Sequence, residues 1–63
     1  MKFYVILHTE MDVQFGDVFS RKGDATTFLA DNYNSNGKLG ADLVELEPAE
    51  LNTLQQNATL TFH

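Results

Sequence analysis

Four carboxylates fall within nine residues in the second half of the chain: Asp42, Glu45, Glu47 and Glu50. The sequence contains no Lys or Arg after Lys38, so this segment has no cation of its own to balance them. A negative field of this kind attracts basic surfaces and repels DNA and anionic membranes. The pattern predicts a partner protein with a basic surface, and it argues against direct binding to nucleic acid or to a membrane.

The spacing of these carboxylates argues against a catalytic pair. Asp42 and Glu45 lie on opposite sides of a predicted strand, and Glu47 and Glu50 flank Pro48 at the start of a predicted helix. Negative charge in the first turn of a helix stabilises the helix dipole, so the last two residues fit a capping role. The alternative is an acidic binding surface. In its strongest form the carboxylates mimic the phosphates of DNA and occupy a nucleic-acid-binding protein.

A second group of polar residues could ligate a metal. His8 and Glu10 share one face of a predicted strand, and Asp12 or Asp17 would approach them across a hairpin. Structural zinc takes four protein ligands and catalytic zinc takes three in a defined geometry. We therefore expect no metal here and interpret the group as polar side chains at a strand end. We also expect His63 to be solvated.

Residues for nucleophilic catalysis are scarce. The chain contains no Cys, and its two Ser residues, Ser20 and Ser35, have no His at an obvious supporting distance and no elbow motif around them. We therefore predict a protein that is not an enzyme and needs no cofactor.

The elements that position these residues follow from periodicity and from breaker residues. Alternating or continuous apolar runs predict strands, and apolar residues at helical spacing predict helices. The predicted elements are strands at 2–9 and 13–19, a helix at 20–34, a strand at 41–47, a helix at 48–57 and a short last strand or packed tail at 59–63.

Several local details follow from the same patterns. Gly16 stands where the alternation of the second strand slips, which indicates a β-bulge or bend. The first helix has two candidate N-caps, of which Ser20 is preferred over Asp24 because Phe19 would then precede the cap as a hydrophobic staple. Four residues share the face of this helix that should meet the sheet: Ala25, Phe28, Leu29 and Tyr33.

The order β-β-α-β-α(-β) predicts an α+β fold. We expect a small two-layer sandwich: a three- or four-stranded sheet with both helices on one face. The first strand is apolar on both sides, so the uncovered face would expose Tyr4, Ile6 and His8. An exposed patch of this kind marks a contact surface, and these three residues join the four carboxylates as the predicted partner-binding set.

Length and composition limit the function further. Sixty-three residues form one domain, 1–63, which buries only about 60% of its unfolded surface. We expect such a chain to be too small for a deep ligand pocket, since these measure about 300–1,000 Å³. No signal peptide or membrane span is visible, and Cys is absent, which together predict a cytoplasmic protein.

These observations predict a small acidic protein-binding module that inhibits or regulates its partner by covering the partner's surface. Two alternatives stay open: a DNA mimic directed at a nucleic-acid-binding protein, and a homo-oligomeric structural or accessory protein, for instance a homodimer. In being short, acidic, cysteine-free and built as one α+β unit, the chain resembles small bacteriophage proteins that bind and disable host proteins. That resemblance rests on size and composition.

Overall fold

The computed structural model describes residues 1–34 and 41–63. A π-helical turn at Ala30–Asn34 follows the first helix. The segment 35–40, which separates the predicted first helix from the predicted third strand, lies outside the described ranges. The elements are β1 at Phe3–Glu10, β2 at Val13–Phe19, α1 at Lys22–Leu29, β3 at Asp42–Leu46, α2 at Pro48–Gln55 and β4 at Thr59–Phe62. The predicted element order is confirmed, including the short last strand.

The four strands form one mixed sheet in the order β3-β1-β2-β4. The strand β1 pairs antiparallel with both β2 and β3, whereas β4 pairs parallel with β2. The α+β class and the four-stranded sheet are therefore confirmed. Among the described residues, neither helix is long and apolar enough to cross a membrane.

A two-residue loop joins β1 to β2. Met11 and Asp12 have φ angles of 51° and 66°, so both lie in the left-handed region. Positive φ at both central residues defines a type I′ turn, whose twist matches that of the two strands. The turn sets a register in which Glu10 faces Val13 and His8 faces Phe15.

The bulge predicted at Gly16 is wrong. The pairing of β1 with β2 continues without interruption from Tyr4 opposite Phe19 to Glu10 opposite Val13. Gly16 is needed for packing: a Cβ there would lie 2.6 Å from Leu60 Cδ2 and 3.1 Å from Val5 Cγ1.

The two helices cover opposite faces of the sheet, so their predicted placement on one face is wrong. Ile6 packs in a core with Ala25 of α1, whereas its neighbour Val5 packs in a second core with Leu51 of α2. Successive strand residues point to opposite faces. We call the side of Ile6 the α1 face and the side of Val5 the α2 face. Both residues are 0% exposed.

The helix α1 and the π-helical turn after it pack on the sheet through the predicted residues. Ala25 and Tyr33 are buried in the α1-face core, and Phe28 and Leu29 pack against it. The predicted N-cap is wrong, because the cap residue is Arg21, which makes no side-chain capping bond. The strand continues through Phe19, so the chain turns into the helix one residue after Ser20.

The helix α2 begins with a capping box. Glu47 is the cap, its side chain accepts from the backbone of Glu50, and its own N–H donates to Glu50 Oε1 at 3.0 Å. Pro48 takes the first helical position, where its missing N–H costs nothing. The capping role considered for these two carboxylates is confirmed. The helix then turns Leu51 into the α2-face core.

Two glycine substitutions should change stability in opposite directions. Gly16→Ala places a methyl group against three side chains and should lower the free energy of unfolding by about 1–2 kcal/mol. Gly23→Ala meets nothing within 4 Å in α1 and should raise it by about 0.5–1 kcal/mol. Urea unfolding followed by circular dichroism measures both. An unchanged or more stable Gly16→Ala variant would contradict the packing described here.

Candidate functional site

The α2 face carries an open apolar groove beside the helix. Its volume is about 550 Å³. Leu7, Val44, Leu46 and Leu54 supply its apolar surface, and Gln14, Glu50, Thr53 and Asn57 complete its lining. A helix of eight residues is only about 12 Å long, so α2 covers part of this face and leaves the neighbouring apolar side chains accessible. The groove is open rather than deep, so its volume does not contradict the expectation that the chain is too small for a deep ligand pocket.

One carboxylate lines the apolar groove and two others stand next to residues that line it. Asp42 lies directly opposite Leu7 in the β1–β3 register and points to the same face, and Glu50 lines the groove itself. Glu47 stands at the adjacent end of α2. The described cations lie elsewhere: Lys2 Nζ is 3.6 Å from Glu45 Oε2 on the α1 face, and Arg21 and Lys22 stand at the start of α1.

The α1 face carries a second, more polar concavity of about 360 Å³. It lies where the sheet extends beyond the end of α1. We call it the polar pocket, and its lining residues are His8, Phe15, Gly16, Asp17, Phe28, Asn32, Tyr33 and Thr61.

A chain of hydrogen bonds crosses the polar pocket. The Tyr33 hydroxyl donates to Asp17 Oδ2 at 2.9 Å and lies 3.1 Å from His8 Nδ1. Because the hydroxyl has one proton and gives it to Asp17, the His8 Nδ1–H must donate to the Tyr33 oxygen. His63 Nε2 lies 2.9 Å from Asp17 Oδ1, where it can only donate. Asp17 is therefore the common acceptor of the network.

His63 is an exposed residue, as expected, but its ring also packs on its neighbours. Its side chain is 32% exposed, and its ring stacks on Phe19 with centroids 4.5 Å apart and planes 3° from parallel. The same ring lies 5.0 Å from that of Phe28. The strand β4 positions it, because the His63 backbone N–H continues the pairing with β2 by donating to Val18 O.

The predicted partner-binding residues do not form one surface. Ile6 is buried beneath α1 and cannot contact a partner, Tyr4 is half-buried on the same core, and His8 lines the polar pocket. The uncovered sheet face on which these three predictions depended does not exist. Asp42 lies on the α2 face with Glu50, whereas Glu45 lies on the opposite face, as the strand alternation predicts.

Sequence reasoning did not identify several residues of these two concavities. Asp17 and Tyr33 are 16 residues apart, and no local pattern brings them together. In the sequence, Leu7 and Leu54 stand out only as apolar positions of β1 and α2. The available signal was the two-sided apolar character of β1, which is typical of a strand covered on both faces.

The side chains of the polar pocket do not amount to a metal site: within residues 1–34 and 41–63, no three His, Cys, Asp or Glu side chains form a group that could hold a metal ion. Comparison of the chain with protein-family models, with curated proteins and with solved structures finds no match.

The Tyr33 hydroxyl should ionise only at very alkaline pH. Burial, the hydrogen bond to Asp17 and the charges of Asp17 and Glu10 together raise its pKa from 10.0 to about 12, and burial contributes most. In a Tyr4→Phe background Tyr33 is the only tyrosine. Its tyrosinate absorbance should then rise with a midpoint near pH 12, and a midpoint near 10 while circular dichroism still reports a folded chain would contradict the hydrogen-bond network.

The raised pKa of Tyr33 makes the free energy of unfolding fall at high pH. The pKa of Tyr33 is higher in the folded than in the unfolded chain, so its contribution is fully present below pH 10 and is lost as the pH rises through 12. The loss amounts to roughly 3 kcal/mol. In urea unfolding measured from pH 10 to pH 12, the Tyr33→Phe variant should not show this loss of unfolding free energy.

Proposed function

We propose that this protein is a non-enzymatic protein-binding module of the cytoplasm. Its apolar groove takes a basic, amphipathic segment of a partner. The observation that carries the proposal is the combination on the α2 face of accessible Leu side chains with Asp42, Glu47 and Glu50. An apolar patch with a rim of one charge fits a segment with Leu-type anchors and flanking Lys or Arg residues.

The proposed mechanism is occlusion. A segment bound in the groove is unavailable to other ligands, so a regulator of this type inhibits its partner without chemistry of its own. The carboxylates around the groove steer association and set specificity more than they add affinity. Such inhibition is the mode of action that the likeness to small bacteriophage proteins implies.

The DNA-mimic alternative receives less support from this geometry. A mimic presents rows of carboxylates on one surface, whereas Asp42 and Glu45 point to opposite faces, and Glu45 is paired with Lys2.

The groove hypothesis can be tested with synthetic peptides in place of the unidentified partner. A ten-residue peptide that alternates Leu with Lys should shift the NMR signals of Leu7, Val44 and Leu54. The same peptide with Glu in place of Lys should not bind, since its charges oppose those around the groove. Equal binding of both peptides, or shifts confined to another face, would contradict the proposal.

Conservative variants separate charge from folding. Asp42→Asn combined with Glu50→Gln should weaken binding of the Leu–Lys peptide about tenfold, from two charge contacts of up to about 1 kcal/mol each. Gln at position 50 preserves the capping box. Glu45→Gln is the matched control, since it removes a carboxylate from the opposite face and should leave the affinity within about twofold.

Self-association is a second candidate function, which one observation favours. The edge strand β4 carries no charged side chain, and Phe62 is 54% exposed. Among the described residues no strand pairs with its outer side. Natural edge strands are commonly protected by charges, and β4 lacks this protection, so it could pair with a second copy.

Sedimentation velocity from micromolar to millimolar concentration tests this second candidate. The wild type should associate as the concentration rises, and Phe62→Lys should remain monomeric. Val13→Lys replaces another exposed apolar side chain and should behave as the wild type. A wild type that stays monomeric at the highest concentration would exclude pairing through β4.

A further inference from the structure

We propose that the polar pocket binds a small organic ammonium ion, with its alkyl groups against aromatic rings and its charge facing Asp17. This site lies on the α1 face and is independent of the apolar groove.

Three aromatic rings stand among the polar groups that line the polar pocket. Phe15 enters from β2, Phe28 from α1 and Tyr33 from the turn that follows α1. The rings of Phe28 and Tyr33 are 6.2 Å apart, and His8 stacks on Phe15 at 5.5 Å. Ring faces carry negative potential and attract cations, and cages of such rings recognise quaternary ammonium groups.

Asp17 gives the polar pocket its charge. Its side chain is 15% exposed, so it lies near the surface of the molecule but is mostly shielded from water. A carboxylate has about four acceptor positions, and the bonds from Tyr33 and His63 use two of them. Both bonds also fix the orientation of the carboxylate, and its unused acceptor positions can then face a bound cation.

The rest of the lining fits this ligand class. Of the described residues that line the polar pocket, none is Lys or Arg. Arg21 and Lys22 stand at the start of α1, and Lys2 is paired with Glu45. The volume of about 360 Å³ lies at the small end of the range for ligand sites. Within residues 1–34 and 41–63 no three His, Cys, Asp or Glu side chains form a group that could hold a metal ion, and the rings beside Asp17 suit an alkylated ammonium ion.

Choline and its neutral carbon isostere, 3,3-dimethylbutan-1-ol, test the proposal on the wild-type protein. Choline should cause saturable NMR shifts at His8, Phe15, Asp17 and Tyr33, and the isostere should bind at least about tenfold more weakly because it has the same shape without the charge. Equal affinity for the two compounds would overturn the proposal. So would the lack of any saturable shift in these residues.

Two variants identify the source of the charge. Asp17→Asn keeps the shape of the side chain and one of its two acceptor oxygens, and it should weaken choline binding about tenfold. Asp24→Asn removes an equal charge from the first turn of α1, outside the pocket, and should leave the affinity unchanged. If both variants lost affinity equally, the effect would come from net charge and the assigned site would be wrong. An Asp17→Asn variant that binds choline as tightly as the wild type would overturn the proposal as well.

Discussion

Burial of β1 on both of its faces is the constraint on which the rest of this structure depends. Val5 and Ile6 are consecutive, both are 0% exposed, and they point in opposite directions. Each needs its own cover, because an apolar side chain left in water forfeits about 1.5–3 kcal/mol of burial. A domain of this size has little stability to lose. One helix on each side of the sheet provides that cover, and both helices are short.

The two concavities follow from the shortness of the helices. Two helices of eight residues each cannot span both faces of a four-stranded sheet, so sheet surface stays accessible beyond each helix. The side chains left there differ. On the α2 face they are aliphatic and stand among carboxylates, which suits a peptide segment. On the α1 face they are aromatic, histidine and aspartate side chains in one hydrogen-bond network, which suits a small cation. One fold thus presents two surfaces with different chemistry.

The sequence predicts the elements of this fold better than their arrangement. Helical spacing identified Ala25, Phe28, Leu29 and Tyr33 as one packed face because periodicity is local. The side of the sheet that each helix covers depends on crossovers between distant strands, which no local pattern encodes. The adjacent apolar residues Val18 and Phe19 interrupt the apolar–polar alternation of β2 because both faces of that strand are covered. The interruption does not indicate a bulge. The polar pocket could not be predicted either, because strand pairing alone brings Asp17 to His63 across 46 positions of the chain.

Methyl and aromatic NOEs test the central claim most directly. If each face of β1 has its own helix, Ile6 should show NOEs to Ala25 and to the side chains of α1, and the pair Val5 and Val18 should show them to Leu51. No NOE should connect Ile6 with Leu51. Cross-peaks from one helix to both Val5 and Ile6, or an Ile6 methyl without any contact to a helix, would contradict the arrangement on which both proposed sites depend.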